Sequence, residues 1–145
     1  MDNELNEGLR LKNQVCFPLY ACAKEVVRKY KPFLDELDLT YTQYIAMMVL
    51  WEDKEINVKE LGKRLYLDSG TLTPLLKKLE AKGNINRERS KEDERSLIIS
   101  ITDKGDKLKD KASIVPHKVS TCVNLDPEKA KVLYSTLYEL LEQMR

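Results

Sequence analysis

A chain of 145 residues, 42% apolar and 34% charged, suits a single domain with a real core. Its longest apolar run, residues 45–51, is far short of the ~20 residues a membrane span requires, no signal peptide precedes the first charged residues, and three cysteines are an odd number for a secreted disulfide framework. A cytoplasmic protein with no membrane contact is expected, and a single His without a Cys/His pair at zinc spacing gives no reason to expect a metal or other cofactor.

Residues 1–8 are polar and expected to fray. A long helix is predicted over about residues 9–30. Leu11, Val15, Leu19, Cys22 and Val26 form one apolar stripe along it, and Leu9, Cys16, Tyr20, Ala23, Val27 and Tyr30 form a second beside it. Two adjacent stripes exceed what packing against one small domain requires, so the surplus points to a partner chain. Pro18 removes one backbone bond inside this helix and predicts a local bend. Lys31-Pro32 is expected to end it, with a short turn or 3-10 piece over residues 33–37. Thr40-Tyr41-Thr42-Gln43 has the pattern of a capping box. The helix it opens should turn Tyr44, Ile45, Met48 and Trp51 inward.

Asn57-Val58-Lys59-Glu60 opens a short helix, with Asn57 capping free amides while Glu60 reaches back. Leu61 and Leu65 give it an apolar side, and a break follows near Leu67-Asp68. The next helix begins at Ser69 and carries Leu72, Leu75, Leu76 and Leu79 on one stripe. Its outward side presents Gly70, Pro74, Lys77 and Ala81, flanked by Thr73 and Lys78. Small residues, hydroxyls and lysines suit a helix that lies in a DNA major groove. Gly83 ends this helix. Strands over residues 85–89 and 96–101 follow, in which Leu97, Ile99 and Ile101 alternate as a buried face should. Residues 90–95 form a charged tip between them. Helix, turn, helix and a basic-flanked hairpin make a winged helix-turn-helix over about residues 41–101, so the fold is mainly α with a small β-hairpin wing. Net charge is only +1, yet residues 59–111 hold 14 Lys/Arg against 10 Asp/Glu, a surplus of +4 where phosphate contacts would be needed.

Thr102-Asp103 caps another helix that aligns Leu108, Ala112 and Val115, and Pro116 is expected to kink or end it. Asp126-Pro127-Glu128 starts the last helix. Ala130, Leu133, Leu137, Leu141 and Met144 stripe it, and Tyr134, Tyr138 and Leu140 widen the stripe. Helices with surplus apolar surface at about residues 9–30 and 103–145 predict a homodimer of a single-domain chain, residues 1–145. Two-fold symmetry would then set two recognition helices on the half-sites of a pseudo-palindromic double-stranded DNA operator, about one turn apart.

Leu67-Asp68-Ser69-Gly70-Thr71-Leu72-Thr73-Pro74-Leu75-Leu76 and Arg87-x-Arg89-Ser90-x-x-Asp93-x-Arg95-Ser96 resemble the recognition helix and wing of MarR-type transcriptional regulators. The resemblance implies DNA contacts from Ser69, Gly70, Thr71, Thr73, Pro74, Lys77 and Lys78 on the helix, and from Arg87, Arg89, Asp93 and Arg95 on the wing. Arg95 would enter the minor groove with Asp93 orienting it. Asn13-Gln14-x-Cys16-Phe17, Tyr30-Lys31-Pro32 and Leu39-Thr40-Tyr41-x-Gln43-Tyr44 are similar to the organic-hydroperoxide-sensing branch of that family. In that branch Cys16 matches the peroxide sensor, and Tyr30 and Tyr41 match tyrosines that hydrogen-bond its thiolate across a dimer interface. In two-cysteine members, a cysteine in the region of Cys122 on the partner subunit resolves the sulfenic acid. The implied function is a transcriptional repressor that releases its operator when an organic hydroperoxide oxidises Cys16.

The residues' own chemistry is compatible with that role. A thiolate is the nucleophile toward a peroxide O–O bond, phenolic hydroxyls can donate to the anion, and Phe17, Leu19, Tyr20 and Tyr41 could supply an apolar pocket for an alkyl hydroperoxide. Cys22 lies six positions, about 9 Å of helical rise, from Cys16. That exceeds disulfide reach, and Cys22 reads as core. Cys122 reads equally well as a small buried hydrophobe. Two other functions fit parts of the pattern: a MarR-type regulator answering a small aromatic ligand with its cysteines incidental, and a thiol peroxidase. No Cys-x-x-Cys pair or nucleotide-binding loop accompanies the latter.

Overall fold

The computed structural model describes residues 2–145. Its elements in chain order are α1 (Asp2–Gly8), a 3-10 turn (Leu11–Asn13), α2 (Cys16–Asp35), α3 (Tyr41–Asp53), β1 (Glu55–Asn57), α4 (Val58–Leu65) and α5 (Ser69–Ala81). Then come β2 (Ile85–Arg89), β3 (Leu97–Ile101), α6 (Asp103–Ala112), α7 (Val115–Ser120) and α8 (Pro127–Gln143).

The first segment departs from the expected single helix over residues 9–30, and residues 2–8 are helical rather than frayed. The chain breaks at residues 9–15, where amide side chains close the end of α1. Asn13 donates to the Glu7 carbonyl at 2.8 Å, and Gln14 donates to the Gly8 carbonyl. Carbonyls left free at a helix end need such partners. Helix α2 therefore starts at Cys16, and Pro18 falls in its first turn, where a missing N–H costs nothing. Pro32, expected to end the helix, sits inside it. Leu34 is buried in the core two residues later, and Lys31 bonds Asp35 at 2.9 Å across the proline, so packing carries the helix to Asp35. The chain then turns through Asp38, whose φ is 53°.

Helix α3 begins with the expected capping box, in which Thr40 and Gln43 exchange bonds between side chain and backbone. It is buried nearly all round, with Tyr44, Ala46, Met47, Val49, Leu50 and Trp51 in the core. Met48 is the exception: it faces out, and Met47 fills the interior instead. The indole of Trp51 donates to the Gly105 carbonyl at 2.9 Å and ties α3 to α6. A Cβ on Gly105 would come within 2.2 Å of the Asn84 carbonyl oxygen, so only glycine permits that approach.

Asn57 caps α4 by accepting from the Lys59 amide at 2.7 Å. Glu60 does not close a capping box, because its carboxylate is drawn to Lys63, 3.2 Å away. Tyr66 ends α4 in the left-handed region (φ 54°) and Asp68 caps α5, which sets the sharp turn between the two helices. The stripe Leu72, Leu75, Leu76 and Leu79 is buried, leaving the opposite side of α5 to solvent. Strand β3 is central: it pairs antiparallel with β2, Arg87 opposite Ile99, and with the short β1, Ile56 opposite Ile99. This is a winged helix-turn-helix. Strand β1 was not expected, since three residues with one hydrophobe carry no period.

Helix α6 ends at Ala112, and Pro116 sits in the first turn of the new helix α7. Asp126 and Pro127 open α8. None of the residues of α8 is buried, and Val132, Leu133, Tyr134, Tyr138 and Met144 stand in solvent, as do Leu9, Leu11, Val15, Phe17 and Tyr20 near the other end of the chain. Cys22 and Cys122 are exposed and do not belong to the core. Among the described residues no helix is long and apolar enough to cross a membrane.

Candidate nucleic-acid interface and thiol site

Leucines on one side of α5 leave Ser69, Gly70, Thr71, Thr73, Pro74, Lys77 and Lys78 together on its exposed side. The Asp68 carboxylate accepts from the Thr71 amide at 2.8 Å, and that bond, helped by the Thr71 hydroxyl, holds its acid below the ordinary carboxylate range. The start of the helix is thereby capped.

The wing divides by role. Arg87 faces inward: its guanidinium bonds Glu80 of α5 at 3.0 Å, and its backbone amide meets the same carboxylate at 3.2 Å. Those bonds hold the Glu80 acid below its usual range. Arg89 spends one nitrogen on the Glu94 carbonyl at 2.9 Å, bracing the tip. Asp93 accepts from the backbone amide of Arg95 at 3.0 Å, so it fixes the turn rather than the guanidinium. The Arg95 side chain is exposed and has no hydrogen bond or ion pair among the described residues.

The thiol of Cys16 lies in the first turn of α2 and is exposed. Phe17, Leu19 and Tyr20, which follow it in the helix, are exposed apolar surface. Tyr30 and Tyr41 meet edge to face at 4.9 Å between centroids, and Tyr44 joins them at 5.8 and 6.3 Å. Burial first, and Tyr30 second, push the Tyr41 and Tyr44 phenols above their ordinary range, which keeps both as donors. A groove of about 340 Å³ beside Tyr41 is lined by Val27, Leu34 and Leu39 together with the charged Arg28, Lys31 and Asp35.

Cys16 and this cluster are not brought together within one protomer. Cys16 and Tyr30 are fourteen residues apart on one helix, about 21 Å of rise. Cys122 occupies the turn after α7, with the Thr121 hydroxyl 3.8 Å from its sulfur. Sequence reasoning missed Tyr44 as a third member of the cluster. Its spacing of three from Tyr41 on a capped helix was the available signal. It also missed the Glu80–Arg87 tie between recognition helix and wing, which has no local signature.

Residues 28–112 match the family described as transcriptional regulator SarA/Rot. The chain is 48% identical over 144 residues to the organic hydroperoxide resistance transcriptional regulator of Bacillus subtilis (strain 168), covering 99% of this chain and 97% of that protein. Among solved structures, reduced AbfR bound to DNA is 34% identical with a TM-score of 0.78, covering 99% of both chains. Overoxidised AbfR bound to DNA gives the same identity and TM-score over 97% of this chain and 98% of that one. The disulfide form of AbfR, a protein of Staphylococcus epidermidis, is 35% identical with a TM-score of 0.64, over 97% and 99%.

Proposed function

Because the chain belongs to the SarA/Rot family of MarR-type transcriptional regulators, in the branch of the organic hydroperoxide resistance regulators, we propose that it is a dimeric repressor switched by oxidation of Cys16. That membership makes it a DNA-binding regulator, not an enzyme, and the thiol peroxidase reading is dropped.

One observation carries the proposal. Cys16 stands exposed at the start of α2, and Tyr30, half-buried against Tyr41 and Tyr44, lies fourteen residues on and within about 40° of it around the helix. Two antiparallel copies of α2 would set each Cys16 beside the partner subunit's Tyr30, crossing near Ala23, whose small side chain lets helices approach closely. The uncovered apolar faces of α2 and α8 would be buried by the same pairing. The thiolate attacks the hydroperoxide oxygen, the O–O bond breaks, and the alkoxide leaves as an alcohol after taking a proton. Sulfur ends as a sulfenic acid. A thiol at the partner subunit's Cys122 then displaces water, forming a disulfide.

A disulfide requires about 4.4–6.8 Å between Cα atoms, so two elements would shift against each other and disturb the half-site spacing. The chain matches reduced and overoxidised AbfR on DNA equally well and the disulfide form less well, at nearly one identity. Treatment with cumene hydroperoxide should give a covalent dimer on non-reducing gels and loss of operator binding in the wild type. Cys16→Ser and Cys122→Ser should both lack the covalent dimer, and Cys122→Ser should recover less well with thiols. Reversible release without a covalent dimer in the wild type would make Cys122 a bystander.

On DNA, Thr73 and Lys77 would meet major-groove edges and Arg95 a narrow minor groove. Arg87 and Arg89, already bound within the protein, would position the wing. Arg95→Ala should weaken operator binding about tenfold and lower the salt slope by about 1, whereas substituting Thr73 should relax sequence preference. Unchanged affinity and salt slope for Arg95→Ala would remove the wing from the groove. The groove beside Tyr41 also suits a small aromatic ligand, and a response to such a ligand in Cys16→Ser would favour that second reading.

A further inference from the structure

Tyr41 and Gln43 belong to the same first turn of α3. The Gln43 side-chain oxygen accepts from the Thr40 amide at 3.1 Å, and the Thr40 hydroxyl accepts from the Gln43 amide at 3.3 Å. That oxygen also accepts from the ammonium of Lys82, again at 3.1 Å. Gln43 is only 2% exposed, and the Lys82 side chain is itself mostly covered. The Lys82 ammonium donates further to the Asp38 carbonyl and lies 3.5 Å from the Asp38 carboxylate, gripping the turn between α2 and α3. Lys82 is also the residue that closes the recognition helix: its amide donates to the Lys78 carbonyl at 3.1 Å. From the opposite side, Lys104 donates to the Lys82 carbonyl at 2.6 Å.

We propose that Lys82 is the positioning residue that couples the tyrosine cluster to the recognition helix. The inference rests on the thiol-sensing reading above. When Tyr41 loses or changes its partner across the dimer, the first turn of α3 moves, and Gln43 moves with it. Lys82 follows Gln43 and Asp38, and the end of α5, one peptide bond away, follows Lys82. Lys77 and Lys78 lie within that last stretch. A residue that merely staples the two elements would stabilise reduced and oxidised protein alike. A coupling residue affects the difference between them, which is the quantity allostery is measured by.

The test compares the full chain as wild type, Lys82→Met, which keeps the aliphatic stem, and Lys82→Arg, which restores donors. Operator affinity is read by fluorescence anisotropy before and after cumene hydroperoxide, and Cys16 oxidation by mass spectrometry. Lys82→Met should oxidise at the wild-type rate and bind DNA when reduced within about threefold of wild type. Its loss of affinity on oxidation should shrink about tenfold or more relative to wild type, within the usual range of coupling. Lys82→Arg should restore most of the loss. Should Lys82→Met melt early, Lys82→Gln replaces it. Equal loss of affinity on oxidation in Lys82→Met and wild type, or equal weakening of both redox states, overturns the coupling. A wild type that oxidises and keeps its DNA overturns the sensing reading itself.

Discussion

A chain cut after Leu125 is expected to be a folded monomer that no longer holds its operator. Nothing in the core lies beyond Val119, and α8 contributes no buried residue, so its removal opens no cavity. It does remove Val132, Leu133, Tyr134, Tyr138 and Met144, a large part of the uncovered apolar surface. Without it, two winged units are no longer held one DNA turn apart, and binding should fall to the non-specific level, about a thousandfold or more weaker. Light scattering and operator titration check the two consequences together. A truncated monomer that binds the operator as the full chain does would end the account of α8 as a dimerisation helix.

The DNA-binding half of the fold was legible because its signals are local. Four leucines at helical spacing, Gly83 after the helix and an alternating Leu97-Ile99-Ile101 each report on a few neighbouring residues. The first segment was misread because both prolines were judged by type rather than position. Pro18 needs no N–H where it stands, and Pro32 is overruled by the burial of Leu34. Asn13 and Gln14 carried a family resemblance but not their local task, which is to close α1 and so fix where α2 begins. Contacts such as Glu80–Arg87 and Gln43–Lys82 join residues 7 and 39 positions apart through side chains alone. No period or spacing records them. The exposed cysteines belong to a different gap. Helical stripes tell that a face must be covered, not whether its own chain or a partner covers it.

Cys16→Ser carries the other large effect. The substitution replaces sulfur by oxygen on an exposed residue in the first turn of α2, so packing and DNA affinity should be retained. A serine hydroxyl stays protonated and does not cleave a peroxide O–O bond, so neither sulfenic acid nor disulfide can form at that position. The decisive measurement is operator affinity of wild type and Cys16→Ser, each titrated reduced and after cumene hydroperoxide. The expected result is equal binding by both reduced proteins, with release by oxidised wild type alone. Release by Cys16→Ser to the same extent as wild type would contradict it.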